Sequence, residues 1–159
     1  MPNKIESIYR YPVKGLSGEP MDSITLTAGC VIPGDREYAF TRSDVVFDPA
    51  NPQHIEKTHF LSLVRDKKLA ELETKFNDIS KILSISRHGS VLIDVSLISP
   101  KDCSRIADFF AEYLNMPAMK QPHIVRALLG TKKHSFSDVP DKAISLINLS
   151  SIVELSKKV

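Results

Sequence analysis

Two cysteines, Cys30 and Cys103, are all that the 159 residues contain, and aromatic residues make up only 7%. So few thiols exclude a disulfide scaffold. Both are expected free in a reducing cytoplasm, with a single bridge between them as the alternative. The formal net charge is only +2, too small for bulk electrostatics to argue for nucleic-acid binding. Nor are the scarce aromatics interleaved with a basic stripe, as an oligonucleotide-binding barrel requires. No N-terminal apolar segment resembles a signal peptide, and no run approaches the roughly 18 apolar residues of a membrane helix. A cytoplasmic protein with neither a nucleic-acid nor a membrane partner is expected.

Catalytic signatures are also missing. There is no G-x-G-x-x-G or Walker loop, and no Ser-His-Asp or Cys-His arrangement can be defended. His54 and His59 are five apart, His88 lies in a turn, and His123 and His134 are isolated. None of these spacings suits a metal site.

What remains is ordinary for a globular chain: 42% hydrophobic and 25% charged residues, enough for a core in one domain or one domain with part of a second. Residues 4–11 read as a strand ended by Pro12, and 22–28 alternate as a half-buried strand. A turn at Pro33-Gly34-Asp35 leads into a third strand, REYAFTR, and 43–58 is a long surface loop. Residues 59–76 fit either a helix or two short strands; the turn-and-strand rhythm up to 98 favours a β-meander. A hairpin follows, with strands at 82–87 and 91–98.

The helix at 99–115 has the fullest set of signals: Ser99 as N-cap, Pro100 in the first turn, Asp102 completing the cap, and an Ile106, Phe109, Phe110, Tyr113, Leu114 stripe. HIVRALL (123–129) reads as a strand, GTKKHSFSDVPDK as a polar loop and 143–148 as a strand buried on both faces. A last helix, SSIVELSKKV, is capped by Asn148 or Ser150. The fold class expected is α+β, mostly β: a β-barrel-like antiparallel sheet with one packed amphipathic helix.

Lys14, delivered by a strand into the Gly15–Gly18 loop, and Arg36, after the Gly34-Asp35 turn, are the best anion ligands. A phosphate monoester suits a lysine, an arginine fork and backbone N–H groups together. The competing reading makes Lys14 a solvated turn residue and pairs Arg36 with Asp35 or Glu37. Ser135, Ser137 and Asp138, beside Lys132, Lys133 and His134, form a second polar cluster for an anion or a ring N–H, or else a plain Ser/Asp turn. Cys30 is either a thiol activated by Arg36 or a small buried residue.

IYRYPVKGLSGEPM (8–21), followed by Gly34-Asp35-Arg36 and EYAFTR, resembles the N-terminal β-barrel-like domain of MOSC proteins, a family named for the C-terminal domain of molybdenum-cofactor sulfurase. KTHFLSLVRDKKLAELETKFND is similar to the bacterial branch of that family, and SFSDVPDKAISLINLSSIVEL to the opening of the MOSC domain proper. The resemblance implies an N-terminal domain over 1–122 and the opening of a truncated MOSC domain over 123–159.

It also implies molybdenum-cofactor (molybdopterin) chemistry. Relatives include the mitochondrial amidoxime-reducing component and bacterial reductases of N-hydroxylated compounds, and others act in sulfur transfer. The cofactor-binding set maps onto Lys14, Gly15, Arg36, Ser137 and Asp138. Gly15 stands where mitochondrial relatives carry a serine, so one hydroxyl ligand is missing. The implied partners are an electron-transfer protein or a pyridoxal-phosphate-dependent sulfurase. Neither Cys30 nor Cys103 matches the family's metal-binding cysteine, so the chain is expected to be incomplete for catalysis. The alternative is a non-catalytic barrel-like binding or interaction module.

Overall fold

The computed structural model describes residues 4–42, 45–127, 134–141 and 143–157. Seven short strands and two α-helices appear among them: β1 (Ile8–Arg10), β2 (Glu19–Met21), β3 (Tyr38–Thr41), β4 (Glu73–Asn77), β5 (Ile82–Arg87), β6 (Ser90–Ser96), α1 (Pro100–Tyr113), β7 (His123–Arg126) and α2 (Leu149–Ser156). They form three separate antiparallel sheets, β1-β2, β3-β7 and β4-β5-β6.

No sheet closes, so the expected β-barrel-like, mostly β class is corrected to a mixed α+β fold with comparable helix and strand content. The reason is local. The 22–28 and 143–148 segments, which alternate or run apolar as strands do, join no ladder. The 59–76 stretch spends Lys67–Glu71 on a 3-10 turn and gives only β4 to a sheet. Without those strands, nothing among the described residues bridges the sheet edges.

β3 is the centre. All four of its residues are buried: Tyr38 and Phe40 face the main core, and Ala39 faces a smaller cluster with Phe60, Ala127 and Phe136. On one edge β3 pairs with β7 in the register Tyr38↔Arg126 to Thr41↔His123. On the other, Lys14 N–H donates to Tyr38 O (2.9 Å) and Leu61 N–H to Phe40 O (2.9 Å). Two loop segments far apart in sequence are thus fixed against one strand.

α1 is held as its sequence dictates. Ser99 Oγ accepts from Asp102 N–H, Asp102 Oδ2 accepts from Ser96 N–H, and proline occupies the first turn. Its buried face is Ile106, Ala107 and Phe110, with the Phe110 ring 4.6 Å from that of Phe40. Burying one such aromatic side chain stabilises by about 2–3 kcal/mol. α2 starts at an Asn148 cap but buries nothing, and Ile144, Leu146, Ile147, Leu149, Ile152 and Leu155 are all exposed. The expected buried strand at 143–148 is therefore an exposed, unpaired segment.

An ionic chain ties the sheets together. Arg10 pairs with Glu19 on β2 and with Asp78 in the β4–β5 turn (2.7 Å); Asp78 meets Lys81 (4.0 Å). Lys81 lies 3.7 Å from Glu37, just ahead of β3, and Glu37 meets Arg126 on β7 (2.7 Å). Its signs alternate throughout, so the buried Glu37, 1% exposed, sits between two cations.

Candidate functional site

The Gly34-Asp35-Arg36 turn is built by its own side chains. Gly34 has φ +74°, and a Cβ there would lie 2.7 Å from the Arg10 guanidinium, so the position takes glycine. Asp35 Oδ1 accepts from Tyr11 N–H (2.9 Å) and its Oδ2 from Arg36 Nη1 (2.6 Å). Arg36 is itself in the left-handed region, at φ +49°. Its N–H donates to Tyr11 O (2.6 Å) and its C=O accepts from Phe136 N–H (3.0 Å). The turn thereby clips the end of β1 to the Ser135–Asp138 segment. The guanidinium stacks on Tyr11, 5.5 Å from the ring centroid.

Lys14 is not a solvated turn residue. It is 5% exposed, lies 5.3 Å from the Phe60 ring centroid, and donates to Asp138 Oδ1 across 124 residues of sequence. Burial pulls its ammonium below the ordinary lysine value, against the opposing pull of Asp138, and the charges of Arg36 and Lys57 lower it further. Asp138 is also held below its ordinary value, chiefly by the Lys14 hydrogen bond. The two directions differ in origin because Lys14 is sealed while the Asp138 side chain is 66% exposed.

Lys14, Gly15, Arg36 and Asp138 line one cavity of about 320 Å³, with Tyr11, Lys57, Thr58 and the Ser62–Arg65 turn. That volume is at the small-molecule end of ligand pockets. Gly15 is explained by packing: at φ +80°, a Cβ would meet Leu61 O at 2.6 Å. A serine there would not fit without moving the Phe60–Leu61 segment off β3.

Ser137 is not part of this group. Its hydroxyl donates to Val139 O (2.6 Å), and it lines a second cavity of about 220 Å³ with Ser135, Cys30, Ile24 and Leu146. Tyr11 and Arg36 form the wall between the two cavities. His134 packs beside Phe47 and Phe136, while Lys132 and Lys133 lie outside the described residues. Cys30 and Cys103 form no disulfide, and neither lines the larger cavity.

Sequence reasoning missed Lys57, Thr58 and Arg65. No spacing signal marks them; they reach the cavity because Phe60 and Leu61 pair with β3 between them. Among the described residues no group of three or more His, Cys, Asp or Glu is placed to hold a metal ion. No helix among them is long and apolar enough to cross a membrane.

No family model matches the chain, and no curated protein or solved structure matches it either. The MOSC resemblance rests on the quoted residues.

Against a phosphate-bearing pterin, the larger cavity's side chains fit in kind. It offers four cations and, among the described residues, one carboxylate whose second oxygen has no donor. Against the molybdenum atom they do not fit, because no thiolate reaches the cavity.

Proposed function

We propose that this chain is the cofactor-cradling part of a cytoplasmic MOSC-family protein, a molybdenum-cofactor oxidoreductase or sulfur carrier. Lys14 and Arg36 supply cationic donors for the phosphate-bearing end, and Asp138 supplies an acceptor for a ring N–H. Tyr11, already stacked with Arg36, offers a flat apolar wall for the ring. These residues would bind and orient the pterin and its phosphate; with no thiolate lining the cavity, this chain is incomplete for catalysis.

One observation supports the reading above the rest. Three motif residues from distant parts of the chain, Lys14, Arg36 and Asp138, meet on one small cavity. A buried lysine costs stability, and a chain that keeps one facing a cavity has the makings of an anion site. The partner implied by this reading is an electron-transfer protein or a pyridoxal-phosphate-dependent sulfurase. Equilibrium binding of molybdopterin to the purified chain tests the proposal. Binding that Lys14→Ala weakens by at least about tenfold, the worth of one charge-assisted hydrogen bond, supports it; no binding, or binding indifferent to Lys14, removes its basis.

A second reading, a non-catalytic interaction module, draws on the exposed Ile144–Leu155 surface. Concentration-dependent self-association that Leu146→Asp abolishes, without pterin binding, would favour it.

A further inference from the structure

The charges around the larger cavity do not balance evenly. Three acids lie close by, and each has its own cation. Asp138 takes Lys14, and Asp35 takes Arg36 at 2.6 Å. Asp66 accepts from Arg42 through both oxygens, each at 2.8 Å. Two lining cations remain. Neither Lys57 nor Arg65 reaches a carboxylate among the described residues; Arg65 Nη1 donates only to the neutral Thr58 O (3.1 Å). The cavity's net positive charge therefore sits on Lys57 and Arg65.

Both are well placed. Lys57 opens a 3-10 turn, Lys57–His59, directly before the Phe60–Leu61 segment that pairs with β3. Arg65 closes the turn directly after it, where Arg65 N–H and Asp66 N–H both donate to Ser62 O (3.1 and 2.7 Å). Asp66 Oδ2 pins that turn by accepting from Ser62 N–H (3.0 Å). A single strand pairing thus fixes two cation-bearing arms, one before it and one after it, and Arg65 Nη1 reaches back to Thr58 O, beside Lys57.

A neutral ion pair such as Lys14–Asp138 offers hydrogen bonds without net charge. It presents a donor beside an acceptor, the complement of the C=O and N–H edge of a cyclic amide. A phosphate ester, at about −1.5 to −2 charge, needs net positive charge as well.

We propose that Lys57 and Arg65 capture the phosphate of the cavity's ligand while the Lys14–Asp138 pair reads the amide edge of its ring. This rests on the cofactor reading above, but it adds two phosphate-binding residues to it and moves Lys14 from the phosphate to the ring. The ligand class is a monophosphate ester of a heterocycle carrying a cyclic amide.

Titrations of hydroxymethylpterin and its phosphate monoester test the division, using pterin fluorescence and the full chain. The wild type is expected to bind the ester at least about tenfold more tightly than the alcohol, as charge-assisted contacts provide. Lys57→Gln with Arg65→Gln, both exposed positions, should bring that ratio close to one, chiefly by weakening the ester. Asp138→Asn should weaken both compounds alike. A Lys101→Gln variant, on the outer face of α1, should change nothing. If the ester's advantage survives in the double variant but is lost in Lys14→Met, the division of roles is wrong and the cofactor reading stands. If the wild type binds neither compound, both fall. Thermal unfolding of each variant confirms that the fold is intact.

Discussion

The Lys14 ammonium, 5% exposed, is held by Asp138, a carboxylate whose side chain is 66% exposed. This asymmetry fixes the pH behaviour. Asp138 titrates below its unfolded value of 3.8, so its contribution is present above that value and is lost as pH falls through the folded value. Lys14 titrates below its unfolded 10.5, so its charged form costs stability, and the cost is relieved as pH rises through the folded value toward 10.5. Urea midpoints measured against pH should therefore lose part of their acid limb in Asp138→Asn. The change should be below about 1 kcal/mol, because the carboxylate is mostly solvated.

Lys14→Met should separate stability from binding. Methionine fills the same space without a buried charge, and Asp138 is left in water, where it needs no partner. Stability should be unchanged or higher by up to about 1 kcal/mol. Pterin binding should drop. Thermal unfolding checks the first half; a loss above about 2 kcal/mol would mean that the lysine holds the fold rather than a ligand.

Glu37 makes the opposite prediction. It is 1% exposed, with Arg126 at 2.7 Å and Lys81 at 3.7 Å. Arg126→Met removes the nearer cation and leaves a buried carboxylate, at a cost of about 3 kcal/mol. Adding Glu37→Gln should recover about half of it, since no uncompensated charge remains. A double-mutant cycle by chemical denaturation measures the coupling.

Gly15 and Gly29 both have positive φ, but only Gly15 has a neighbour in the way. Gly29→Ala should cost about 1 kcal/mol, the strain alone. Gly15→Ala adds a contact of 2.6 Å with Leu61 O, so the predicted cost is about 2–3 kcal/mol, with weaker ligand binding as the rim moves. Comparing the two by equilibrium unfolding isolates the clash.

Local rules made parts of this fold legible. The Ser99-Pro100-Asp102 cap and the Ile106/Phe110 stripe announce α1, because capping and helical periodicity act within one element. The hairpin of β5 and β6 was equally plain from alternation and a Gly89 turn. The barrel was not there to find. Residues 22–28 and 143–148 have strand patterns but no ladder partner, and pattern cannot supply one. At the site, Lys14 and Arg36 were readable as cations beside glycines. The burial of Lys14, its meeting with Asp138 and the arrival of Lys57 and Arg65 depend on β3 gathering segments from both directions. Ser137 stands beside Asp138 in sequence, yet its hydroxyl turns to Val139 O and the second cavity.

The most direct test of the cofactor reading is a residue-resolved NMR titration of the isotope-labelled chain with hydroxymethylpterin phosphate. Saturable shifts at Tyr11, Lys14, Arg36, Lys57, Arg65 and Asp138 are predicted, with the Lys14 ammonium signal moving most. Shifts confined to the Ile24, Cys30 and Leu146 cavity, or none at saturating ligand, would contradict it.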